Sequence, residues 1–163
     1  MNFDVTSISA VVAAAGVLVG VAYYILDLRH NREVKEMELS RMVISDVQSE
    51  QGAQRWATIM NLEWEDYEDF MKKYSSRSNP AIFSKWSSQF MTLDTIGFLI
   101  KRKVVQAETV YEIGGAAAIQ TWEKYKDIIQ HLRDEGSRQD FWSNAEFYAQ
   151  EMLKIMKKRE QRK

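Results

Sequence analysis

The 163-residue chain has no cysteine. Disulfides, thiolate metal sites and cysteine nucleophiles are therefore excluded, while the redox compartment is left open. It has one proline and seven glycines, whereas an all-β chain needs turn residues about every 8–12 positions. Helix is the expectation. An excess of one charge sign is also missing: 22 Lys and Arg stand against 23 Asp and Glu, for a formal net charge of -1. No global attraction to nucleic acid follows from such a balance. GxxxxGK[ST], GxGxxG and GxSxG patterns are absent too, so no segment reads as a phosphate cradle or a nucleophile elbow. What is present is apolar. Hydrophobic residues make up 45% and aromatics 12%, with five Trp, which disfavours disorder and leaves room for one packed domain plus an anchor.

Residues 5–26 carry no charge and are dominated by Val, Ala, Leu and Ile. At about 1.5 Å per residue they reach about 33 Å, matching a hydrocarbon core of about 30 Å. Tyr23 and Tyr24 fall where an interfacial aromatic belt sits. A cleaved secretory signal is the competing interpretation, but it needs a basic leader, and the one charged residue before the run is Asp4. The cations Arg29, Arg32, Lys35 and Arg41, with His30, follow the run and none precedes it. That asymmetry predicts a single pass through the cell membrane, with the N-terminus outside and the remainder cytoplasmic. Arg29, Arg32 and Lys35 would meet the membrane surface. Gly16 and Gly20 form a GxxxG pair, flanked by the small Ser9 and Ala13, and so mark a face for helix association in lipid. No ionisable residue lies between Asp4 and Asp27, so one copy builds no transport path.

Val34, Met37, Met42, Val43 and Val47 recur at helical spacing, and no Pro or Gly intervenes between Gly20 and Gly52. This predicts a juxtamembrane helix over 29–52, continuous with the anchor. A second helical element is expected over 53–74, bent near Asn61. A loop follows at 75–80, with Asn79 held out of helix by Pro80. A third helix is expected over 81–103, with a core face of Phe83, Trp86, Phe90, Leu93, Gly97, Phe98 and Ile100. A brief helix over 107–113 should be broken or bent by Gly114 and Gly115. Another spans 116–135, closed by Gly136. The last runs over 140–158, with a basic tail at 159–163. The fold class is all-α, an irregular cytoplasmic helical bundle over 53–158 behind an anchor at 1–28.

Chemistry is sparse. Di-iron carboxylate bundles need Glu-x-x-His pairs, and neither His30 nor His131 has Glu three positions earlier. Asp27 and His30 read as a polar interfacial flank, and His131 as a helix residue without an adjacent acid. The cations Lys154, Lys157, Lys158, Arg159, Arg162 and Lys163 read as a solvated helix end favoured by the macrodipole. The five Trp fall within apolar stripes and lack the interleaved cations of single-strand nucleic-acid binders. No metal, cofactor, nucleic-acid or small-molecule site is expected. Glu65, Asp66 and Asp69 form the acidic face expected to meet a partner.

The segments WEDYEDFMKKY (64–74), LDTIGFLIKRKVV (93–105), VYEIGG (110–115), TWEKYKDII (121–129) and FWSNAEFYA (141–149) together resemble an uncharacterised family of small prokaryotic membrane-anchored proteins, classed as a domain of unknown function. The resemblance covers most of residues 35–155 and implies a helical domain behind one N-terminal span. Its motifs are aromatic rather than catalytic, and no functional residue comes with it. The expected function is a membrane-anchored, non-enzymatic interaction or scaffold protein, partnered by the bilayer and by a second copy or another membrane protein. A subunit of a homo-oligomeric channel or sensor, and a membrane-tethered enzyme, are the alternatives.

Overall fold

The computed structural model describes residues 5–136 and 138–162; within the first helix, the side chains of residues 5–13, 32, 36, 39, 40 and 42–44 lie outside the described residues. Six helices follow in order: α1 (Val5–Gln48), α2 (Glu50–Met60), α3 (Tyr67–Tyr74), α4 (Pro80–Lys101), α5 (Ala107–Glu135) and α6 (Ser143–Glu160). Counting α5 as two segments across its kink gives seven. No strand occurs among the described residues. The chain divides into two compact units, Met1–Leu39 and Ser40–Lys163.

The first unit is helical from Val5 onward. Its described large hydrophobics are exposed, with Leu18 at 70% and Tyr23 at 72%. Among the described residues no helix is long and apolar enough to cross a membrane. The uncharged run begins in residues 5–13, whose side chains lie outside the described ones. Its described remainder, residues 14–26, is about 20 Å long at about 1.5 Å per residue, short of a hydrocarbon core.

The second unit folds around aromatics. Phe90 and Tyr125 are fully buried, as are Ile59, Ile129 and Met152. Rings of Phe70, Trp86, Phe90 and Tyr125 lie 5.3–6.2 Å apart in edge-on and tilted pairs, which suits their quadrupoles. The most extensive contacts run from α6 to α4 and to α5. Where α4 meets α6, Asp94 accepts from the Asn144 and Ala145 backbone N–H groups, each at 3.0 Å, and from Asn144 Nδ2 at 3.0 Å. A carboxylate from one helix thereby caps the N-terminus of another. Three residues along α4, Gly97 lets the backbones touch: a Cβ there would fall 1.9 Å from the Asn144 carbonyl oxygen.

Several boundaries differ from expectation. The helix expected to continue to residue 52 stops at Gln48, because Ser49 caps α2 by accepting from Gly52 N at 2.9 Å. A Cβ on Gly52 would lie 2.2 Å from the Asp46 carbonyl oxygen, so the tight turn depends on glycine. The element expected over 53–74 is two helices. Asp66 caps α3 through Asp69 N at 2.8 Å, and the carbonyls freed between α2 and α3 find distant donors. Lys124 Nζ donates to Met60 O and Leu62 O, and the Tyr125 hydroxyl to Ile59 O at 2.6 Å. At Gly114 α5 bends and continues, one of the two outcomes expected there. Asn79 stands outside the helix ahead of Pro80, as expected, and also caps α4 by accepting from Ile82 N at 3.1 Å. Gly136 stands at the end of α5. On α4, Phe83 is half-buried, and Phe98, expected in the core, is 45% exposed.

Candidate functional site

The acidic face nominated from sequence lies where the α2–α3 connection turns into α3. Glu65 and Asp66 are exposed and Asp69 is half-buried. Two of the three carboxylates work locally. Asp66 caps α3, while Asp69 accepts from Glu65 N at 3.1 Å and pairs with Lys73 at 2.6 Å. The Lys73 ammonium holds the Asp69 carboxyl below its ordinary value and is itself raised by it. Asp69 is thus half of an i,i+4 ion pair. The outward-facing charge is carried by Glu65 and Asp66, with Glu68 beside them.

Folding adds residues that sequence spacing did not join to this face. A groove of about 450 Å³ runs between the start of α3 and the last turns of α5, walled by Trp64, Tyr67, Ile128 and His131 and edged by Glu65, Asp66, Glu68, Asp127 and Glu135. Tyr67 and His131 stack with centroids 5.0 Å apart and planes 13° from parallel. The Tyr67 hydroxyl donates to Glu135 at 2.7 Å. Burial first, then the bond to Glu135 and its charge, raise the Tyr67 phenol to about 12, so it is a fixed donor rather than an acid near neutrality. His131 Nδ1 lies 2.9 Å from the Asp127 carbonyl oxygen, an acceptor, so that nitrogen carries the proton. The partner of His131 is thus the Asp127 backbone and not its carboxylate, while Glu135 is bonded to Tyr67. Asp127, His131 and Glu135 stand at i, i+4 and i+8 on α5, a spacing visible in the sequence that marks one helix face. On the other side of Trp64, Lys124 sits 4.9 Å from the indole.

Other carboxylates are also engaged. Asp46 accepts from Arg55 at 2.6 Å and from Thr92 at 3.2 Å, and the bond from Arg55 draws its carboxyl below the usual range. Glu146 pairs with the nearly buried Arg133 at 2.8 Å. Among the described residues no group of three or more His, Cys, Asp or Glu is placed to hold a metal ion.

The remaining nominated residues lie in the first unit. Gly16 and Gly20 are exposed, and a Cβ on either would meet nothing within 4 Å. Ser9 and Ala13, expected to extend that stripe, lie outside the residues with described side chains. Arg29 and Lys35 are exposed, and the Arg32 side chain lies outside the described ones. Asp27 accepts from Asn31 at 3.0 Å rather than meeting His30.

An all-α domain preceded by a helix with an exposed apolar surface is what these residues define. The chain belongs to the DUF4760 family, a domain of unknown function, whose model matches residues 10–152. The resemblance expected over residues 35–155 thus holds at the level of a helical domain of unknown function; membrane anchoring is no part of the match. No curated protein and no solved structure matches the chain.

Proposed function

We propose that this is a membrane-anchored, non-enzymatic interaction protein of the cell membrane, with its helical domain on the cytoplasmic side. The single observation that carries the proposal is the apolar surface of α1: between Val17 and Leu28, eight Val, Leu, Ile and Tyr side chains from Val17 to Leu26, together with Leu28, are at least 46% exposed. In water such a surface is costly at about 25 cal/mol per Å², and patches of that kind mark contact with membrane or protein. The uncharged sequence of residues 5–13 extends it to bilayer length. The cations that follow, Arg29 and Lys35 among them, set the orientation.

The open faces of Gly16 and Gly20 suit close approach of a second copy or another membrane helix. Glu65 and Asp66, edging the Trp64–Tyr67 groove, are the residues proposed to meet a basic partner. A binding role is favoured over an enzymatic one because Asp46, Asp69, Asp94 and Glu146 are engaged in caps and ion pairs rather than converging on a reaction centre.

Extraction of native membranes with alkaline carbonate tests the anchor. The chain should stay in the membrane pellet and be released by detergent. Release by carbonate or by high salt alone would overturn the proposal.

A further inference from the structure

Among the described residues, the second unit exposes two large hydrophobic side chains, Met91 and Phe98, at 59% and 45%. Both lie on α4, seven residues and two turns apart, so about 10 Å along one stripe. Thr95 and Arg102 complete that stripe, and both are exposed. The opposite side of the same helix is core, with Phe90 and Leu93 buried. A solvent-facing helix stripe ordinarily carries polar residues. This one carries methionine and phenylalanine.

At its end stand three consecutive exposed cations, Lys101, Arg102 and Lys103. Arg55, Lys73, Lys126, Arg133 and Lys154 each meet a carboxylate. None of the three does among the described residues. Lys101 donates to Asn144 Oδ1 at 2.9 Å, and Arg102 lies 5.4 Å from the Phe98 ring centre. The helix C-terminus accounts for a cation at this position. It does not account for exposed Phe98 and Met91 on the same stripe.

Exposed apolar side chains on a helix stripe that ends in unneutralised cations are the chemistry of an interfacial surface. We infer that this stripe of α4 rests on an anionic lipid leaflet, Met91 and Phe98 entering the headgroup boundary while Arg102 and Lys103 meet lipid phosphates and Lys101 stays with Asn144 and Phe147 of α6. The inference rests on the anchored function proposed above, which keeps a leaflet within reach at high effective concentration. Two carboxylates that a second copy would bring alongside the same stripe are already engaged: Asp46, beside Met91 and Thr95, is paired with Arg55, and Asp94 caps α6.

The chain has no cysteine, so Thr95→Cys in the full-length protein gives a single site for an environment-sensitive fluorophore. The labelled protein is reconstituted into vesicles of neutral phosphatidylcholine, or of phosphatidylcholine with phosphatidylserine, and flotation is scored in parallel. A blue shift and quenching by headgroup-attached quencher are expected in the anionic vesicles. R102E combined with K103E should weaken that response at least about tenfold, since each basic residue near such a surface is worth about fivefold. A label that stays water-exposed in both vesicles while the protein floats overturns the inference and leaves the anchor standing. Flotation confined to anionic vesicles and lost in the charge-reversed variant overturns the anchor and keeps the inference. Shielding that follows protein concentration in detergent assigns the stripe to a second copy and overturns the inference.

Discussion

The two units use the same side chains in opposite ways. In the first, Leu18 and Ile25 are 70% and 46% exposed, whereas in the second Leu93 and Ile129 are 5% and 0% exposed. The difference is one of pattern. Along α5 the buried Tyr125, Ile128 and Ile129 alternate with Lys124, Lys126 and Asp127, so the helix has one face to bury and one to hydrate. Residues 5–26 have no charged face at all. An apolar stripe finds its complement inside the same chain, but an all-round apolar helix takes its complement from lipid or from other helices.

Two glycines give the largest contrast. Gly97→Ala places a methyl 1.9 Å from the Asn144 carbonyl, while Gly16→Ala places one in open space. The first should cost about 3 kcal/mol as α6 is pushed off α4. The second should leave the domain's unfolding within about 0.5 kcal/mol of the parent. Denaturant unfolding in mild detergent separates them, and equal effects would break the comparison. Asp94→Ala comes next. It strips the cap from the Asn144 and Ala145 N–H groups and should cost about 2 kcal/mol in the same assay. A loss below about 0.5 kcal/mol would show that other groups satisfy that terminus. The smallest effect is that of Asp46. Its carboxyl is held below its ordinary value by Arg55, so its contribution is present above about pH 4 and fades as pH falls further. Asp46→Asn should flatten the stability profile over that acid range and reduce stability at neutral pH. An unchanged acid slope would remove the pair from the account.

The all-α fold class was legible because the breakers are few and well placed. Asn79 before Pro80 and Gly136 stand at helix ends where their chemistry puts them. The break at Ser49 carries a local signal, Ser-x-x-Gly, but its cause is a close approach to the Asp46 carbonyl that composition does not reveal. The gap between α2 and α3 was not legible, because Lys124 and Tyr125, more than sixty positions away, supply the donors that let α2 end. Phe98 was misplaced for a related reason. Its helix is almost evenly apolar, so periodicity alone did not separate the core face from the exposed stripe. In the candidate site, Glu65 and Asp66 were readable as an acidic run. The partnership of Tyr67 with His131 and Glu135 needed the fold.

The proposed anchor requires lipid to cover the exposed apolar surface of α1. A single Val17→Cys substitution in this cysteine-free chain tests it through labelling with a membrane-impermeant maleimide. In intact and in opened membranes the thiol should stay unlabelled from either side, reacting only once the chain is denatured out of the membrane. Rapid labelling in untreated membranes would contradict the account.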